Sequence, residues 1–153
     1  MQTFLPLESF EESAKVLDYR RLGKQRIEAI FLLKSLTKEY DKKGWINHPA
    51  RLMWVGSAGT LYDYTKAVCL EWRNRKYKDT VLDKLIELGN RNPEIFEENK
   101  KPWFIGYQLF HDSHKSNLLR KNLEYYSKFG WDVGPNLEYF WPSKVENLNS
   151  LAV

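Results

Sequence analysis

Leu17-Asp18-Tyr19-Arg20-Arg21-Leu22-Gly23-Lys24-Gln25-Arg26-Ile27-Glu28-Ala29-Ile30 places its charged and apolar side chains at helical spacing. At about 100° per residue, Arg20, Arg21, Lys24 and Glu28 fall within roughly a quarter of the helix circumference, so cations and a carboxylate share one face. Beyond them Ile27, Ile30, Phe31, Leu32, Leu33 and Leu36 are apolar nearly all round, the pattern of a helix clasped by neighbours. One end of this helix is expected to be charged and functional, the other buried.

The 153 residues are enough for a core without disulfides or a structural metal. A single helical domain over 1–143 is expected, with 144–153 as a frayed tail. The formal charge of +4 is only mildly basic, but its distribution is uneven. Cations gather at Lys15 to Arg26, Arg73 to Lys78 and Lys115 to Lys121, while Glu87 to Glu98 is mostly acidic. Six Trp and nine Tyr exceed the needs of a small core, which leaves rings to meet bases or a partner. The lone Cys69 excludes an internal disulfide and fits a reducing compartment, and no stretch reads as a signal peptide or a membrane span. A cytoplasmic monomer that does not engage membranes is expected.

The opening Met1-Gln2-Thr3-Phe4-Leu5-Pro6 is apolar and ends in proline, so it is expected to be pinned to the core with its α-amine in a fixed position. Ser9-Phe10-Glu11-Glu12 resembles a capping box at the head of a short helix. Gly23 inside the next helix costs about 1 kcal/mol relative to alanine, which asks for a close backbone approach or a kink. The long helix is expected to stop at Asp41-Lys42-Lys43-Gly44, and Asn47 or His48 to cap a segment over Ala50 to Val55. Further helices are predicted from Leu61 to about Arg75, where the cations suit the C-terminal dipole, and from Thr80 to Gly89-Asn90. Residues 89–105 read as irregular. A last helix to Lys121 carries His111, His114, Lys115, Leu118 and Lys121 along one stripe, a second candidate functional face. Aromatic loops follow. No strand-like alternation persists, so the fold class is all-α, a compact helical bundle with irregular aromatic C-terminal loops.

A basic helix face neutralises phosphates, and nearby aromatics hold an exposed base by stacking. The same cations also read as a solvated face, and Glu28 one turn after Lys24 as an intrahelical ion pair. Asn47-His48-Pro49 is ordinary turn chemistry. His111-x-x-His114 has metal-compatible spacing, but there is no second paired motif, so neither a metal nor another cofactor is expected. Cys69, between Val68 and Leu70, reads as a small core residue. No phosphate-binding glycine loop and no Gly-x-Ser-x-Gly elbow occurs.

Several segments together resemble the pyrimidine-dimer DNA glycosylase family of phage endonuclease V, and more closely its bacterial and phage relatives that begin Met-Gln-Thr-Phe-Leu-Pro. They are Met1 to Pro6, Val16-Leu17-Asp18, Arg21-Leu22-Gly23-Lys24-Gln25-Arg26 with Glu28-Ala29, Asn47-His48-Pro49-Ala50, and His114-x-Ser116-Asn117-Leu118-Leu119-Arg120-Lys121. Trp131 and Tyr139-x-Trp141-Pro142 also fit. The resemblance implies a compact helical DNA-repair enzyme acting on damaged double-stranded DNA without a cofactor. It would cleave an N-glycosidic bond through a Schiff base and nick the strand by β-elimination, as a glycosylase with AP-lyase activity. In the family the nucleophile is the α-amine of a threonine exposed by methionine removal, assisted by a glutamate after Tyr-Arg.

Here Gln2 disfavours methionine removal and Arg21 stands in the glutamate's place. The catalytic candidates are therefore Met1 or Lys24 as the amine, with Glu28 as the replacement carboxylate. Candidate DNA contacts are Arg20, Arg21, Lys24, Arg26, His48, His111, His114, Lys115, Arg120, Lys121 and Trp131. The alternative is a non-catalytic DNA-binding module that has lost the family's glutamate.

Overall fold

Among residues 2–39, 46–97 and 100–142, which the computed structural model describes, there are eight α-helices and no strand. They are α1 (Phe10–Val16), α2 (Tyr19–Leu36), α3 (Pro49–Leu52), α4 (Ala58–Asn74), α5 (Val81–Arg91), α6 (Pro93–Phe96), α7 (Gln108–Lys121) and α8 (Leu123–Tyr126). A 3-10 turn at Ser127–Phe129 follows, and the chain is then irregular and aromatic to residue 142. The fold is all-α, as expected. Met1 and residues 143–153, hence the boundary of the expected tail, lie outside the described residues.

Helix ends follow local chemistry. Ser9 caps α1 by accepting a hydrogen bond from the Glu12 amide at 3.1 Å. α2 stops at Leu36, short of Asp41, because Lys38 turns left-handed (φ 64°) and the Glu39 amide bonds back to the Lys34 carbonyl at 2.9 Å. His48 Nδ1 caps α3 by accepting from the Ala50 amide at 3.0 Å. α5 continues through Gly89 to Arg91 instead of ending there. A Cβ on Gly89 would sit 3.0 Å from the Tyr62 ring, so this glycine serves packing rather than termination. The interval expected to be irregular contains the short α6.

α4 is the central element, with α2, α1, α5 and α6 packed on it. Leu61, Tyr64, Val68, Cys69 and Trp72 project from it into one apolar cluster that also takes in Leu22, Ala29 and Leu33 of α2 and Phe110 and Leu118 of α7. Gly23 exists for this packing. A Cβ there would meet the Trp72 ring at 3.0 Å, so the close approach, not a kink, is the reason for a glycine inside α2. Thr3, Phe4 and Leu5 are buried, which makes the start of the chain part of the core rather than a tail.

Candidate active site

The N-terminal segment is held by side chains from α2, α4 and α7 and by Trp54, just past α3. The Phe4 amide donates to Gln25 Oε1 at 2.9 Å, and Gln25 Nε2 donates to the Gln2 carbonyl at 2.9 Å. The Tyr64 hydroxyl lies 2.7 Å from Gln25 Oε1 and 2.9 Å from the Phe4 carbonyl. Trp54 Nε1 donates to Thr3 Oγ1 at 3.1 Å, and Asn117 Nδ2 to Gln2 Oε1 at 3.0 Å. Two histidines complete the clamp on Leu5. Its amide donates to His114 Nδ1 at 2.9 Å, and its carbonyl accepts from His111 Nδ1 at 2.8 Å. An extended segment has no ladder of its own, and these buried groups satisfy it instead.

The clamp delivers the chain start to Glu28. The Gln2 amide lies 3.4 Å from Glu28 Oε2, which also accepts from Gln25 Nε2 at 3.2 Å. Lys24 Nζ stands 3.6 Å from Glu28 Oε1; the Lys24 side chain is 74% exposed and that of Glu28 only 14%. This carboxylate forms part of a cleft of about 520 Å³ lined by Gln2, Phe4, Asp18, Arg20, Arg21, Lys24, Gln25, Glu28, Lys121 and Asn122. Arg21 is fixed by Asp18 at 3.2 Å, and Asp18 in turn by a short hydrogen bond from the Tyr126 hydroxyl. Burial works to raise the Asp18 pKa, but the bonds from Tyr126 and Arg21 outweigh it and leave the carboxyl below its usual range. Arg20 and Lys121 are exposed, with no ion-pair partner among the described residues.

Several of the remaining candidate contacts are engaged within the fold. Arg26 lies over the Trp72 ring, 4.3 Å from its centroid, and pairs with Asp79, which keeps it in the packing between α2 and α4. Arg120, though exposed, donates to the carbonyls of Pro135 (3.1 Å) and Leu137 (2.6 Å), tying down the C-terminal loop. His111 and His114 are core residues, 4% and 0% exposed. Burial draws His114 down to about 3, so its ring is neutral, with the proton assigned to Nε2 because Nδ1 accepts from Leu5. Neutral, enclosed rings do not contact phosphate, and with Nδ1 of both committed to Leu5 they form no metal pair. Among the described residues no group of three or more His, Cys, Asp or Glu is arranged to hold a metal.

His48 is half-buried as the α3 cap, set edge-on to Trp141 at 5.9 Å. Desolvation lowers its pKa while the Glu28 carboxylate opposes that shift, so this ring lies within electrostatic reach of the site. Lys115 is largely covered, 3.7 Å from Asp112 and 6.0 Å from the Trp131 ring centroid, while Trp131 itself stacks on Phe129 at 5.3 Å. Met1 lies outside the described residues.

Gln25, Tyr64, Asn117 and Asp18 organise this site without having been among the candidates. Gln25 carried a signal: it falls on the apolar stripe of α2 with Leu22, Ala29 and Leu32, and a polar residue on a buried stripe needs partners. Tyr64 carried none, and Asn117 only its place in a segment that resembles the family, since their partners lie about 60 and 115 positions away. Behind the clamp the Tyr139 ring stacks on His114 at 4.8 Å.

A model of the family described as pyrimidine dimer DNA glycosylase matches residues 1–85, more than half of the chain, covering the N-terminal segment, Lys24, Glu28 and the whole of α4. Searches of curated proteins and of solved structures return no match. With its N-terminal clamp and cationic cleft inside or beside the matched region, the chain belongs to the pyrimidine dimer DNA glycosylase family.

Proposed function

We propose that the protein is a DNA-repair glycosylase with AP-lyase activity, using the α-amine of Met1 as nucleophile and Glu28 as the catalytic carboxylate. The observation that carries this reading is the Gln2 amide 3.4 Å from Glu28 in a cleft lined by Arg20, Arg21, Lys24 and Lys121. Family membership supports the repair role. An α-amine ordinarily titrates near 8, about two units below a lysine, so a useful fraction is neutral at physiological pH. Lys24 is exposed and ion-paired, unlike the desolvated lysines that act as nucleophiles, and suits a phosphate contact.

In the proposed sequence the amine lone pair attacks C1′ of the damaged nucleotide, and the base departs with the electrons of the N-glycosidic bond and takes up a proton. The sugar ring opens to an imine as O4′ accepts the proton shed by the nitrogen. Glu28 then removes a C2′ proton, the electrons form the C2′=C3′ bond, and the 3′ phosphate leaves. Water hydrolyses the imine and restores the amine. The cations bind the phosphates flanking the lesion.

Borohydride reduction with duplex carrying an abasic site tests the scheme. A covalent adduct is expected from the native protein and from Lys24→Ala, and none after the α-amine is blocked. Absence of an adduct from the native protein sinks the imine mechanism, whereas loss in Lys24→Ala with retention in the blocked protein moves the nucleophile to Lys24. Arg21 in place of the family's glutamate favours a second reading, a binding module without catalysis, which would appear as salt-sensitive binding with neither adduct nor incision.

A further inference from the structure

Outside the cleft, two tyrosines form an exposed surface that the proposed chemistry does not use. Tyr19, the first residue of α2, stacks on Trp72 at 5.4 Å, and Tyr77, in the loop between α4 and α5, lies 4.5 Å from Trp72 and 5.0 Å from Tyr19. Trp72 is buried and fixed: Gly23 abuts its ring, Arg26 lies over it, and its Nε1 donates to the Lys78 carbonyl at 2.9 Å. The outer rings are nonetheless open, Tyr19 at 54% and Tyr77 at 39% exposure. Two large rings left half in water on a rigid base form a platform rather than a core.

Its surroundings are cationic. Lys76 and Lys78 flank Tyr77, both exposed and without an ion-pair partner among the described residues, and Arg20 follows Tyr19. The neighbouring acids are already neutralised. Asp79 is fully covered and shared between Arg26 and Arg73, while Glu71 is held by Arg75 at 3.1 Å. Lys76 stands in the left-handed region (φ 70°), and that turn carries the chain from the end of α4 to Tyr77. The sequence alone gave these cations no task beyond the helix dipole. Arg20 also lines the cleft, so the platform and the cleft share a wall.

We propose that the Tyr19–Tyr77 platform with Lys76 and Lys78 is a second DNA-contact surface, which holds the duplex strand flanking the lesion as it leaves the cleft past Arg20. The phosphates lie on the lysines and a deoxyribose packs on the rings. This rests on the reading of the cleft as the lesion site but not on its chemistry.

Binding of an uncleavable abasic-analogue duplex, followed against salt, tests it. Lys76→Asn/Lys78→Ala, with asparagine chosen because it tolerates positive φ, removes two phosphate contacts. It is expected to weaken binding about tenfold near 0.1 M salt and to reduce the slope of log K against log salt by about 1.8. Tyr77→Ala is expected to weaken binding several-fold with the slope unchanged, and Tyr77→Phe, which preserves the ring if the alanine variant is poorly folded, to bind as the native protein does. Lys34→Ala/Lys38→Asn, an equal charge loss at the far end of α2, where Lys34 lies about 21 Å along the helix from Arg20 and asparagine again suits the positive φ of Lys38, is expected to change neither quantity.

The surface is overturned if Lys76→Asn/Lys78→Ala binds with native affinity and slope, or if a folded Tyr77→Ala binds as tightly as the native protein. Failure of the native protein itself to bind the duplex instead rejects the cleft as the lesion site, and the platform with it.

Discussion

In the proposed mechanism Glu28 carries the proton transfer. It receives the Gln2 amide and Gln25, faces Lys24, and is mostly covered. Glu28→Gln keeps the shape and an acceptor oxygen but cannot take a proton from C2′. Incision of abasic duplex is expected to fall by about 10²- to 10⁴-fold, while affinity for the same duplex rises because a negative charge has left a cationic cleft; quench-flow incision and equilibrium binding read the two effects. The Lys24–Glu28 pair was legible from its i,i+4 spacing. The histidines were not. His111 and His114 share the helical stripe of Lys115 and Lys121, yet burial makes them ligands of the Leu5 backbone, and only the path of that distant segment decides this.

α2 does two jobs along its length. Its first turns present Arg20, Arg21 and Lys24 to the cleft, while Leu22, Gly23 and Arg26 seat it on α4 through Trp72. Gly23→Ala gains about 1 kcal/mol in helix propensity but presses a methyl on a ring locked by Tyr19, Tyr77 and Arg26. A net loss of about 1–3 kcal/mol is expected from such overpacking, measured by urea unfolding. The start of α5 is held from outside the helix. Asp79 accepts from the amides of Val81 and Leu82, each at 3.1 Å, as well as pairing with Arg26 and Arg73. Asp79→Ala removes this cap and strands Arg26, so a loss of about 3–5 kcal/mol is expected, with Arg73→Ala milder because that side chain is exposed.

At the scale of the molecule, two kinds of buried ionisable group set the response to acid. His114 is lowered to about 3 by burial, so between its unfolded value near 6.5 and 3 the unfolded chain binds the extra proton. Its contribution to stability is complete above that unfolded value and declines as pH falls, by up to about 1.4 kcal/mol per pH unit. Asp18 and Asp79 are held below their normal range by hydrogen bonds and arginines that overcome desolvation, so their contribution is lost only below about pH 4. Urea midpoints measured from pH 7 to 4.5 are expected to fall in the native protein and to stay flatter in His114→Gln, which can accept from Leu5 but does not titrate in that range.

The sequence by itself determined the helical class, the charged head and apolar tail of α2, the cap at Ser9, a cap at Asn47 or His48, and a start of chain destined for the core. These follow from spacing within a few residues, where side chains meet their own backbone or the next turn. Only the tertiary structure decided that Arg26 serves packing, that Arg120 ties the C-terminal loop, that His111 and His114 grip Leu5, and that Gln25 and Tyr64 bring Gln2 to Glu28. Each of those choices depends on burial and on partners far away in the chain, and desolvation turns a group that looks available in sequence into one already engaged in the fold.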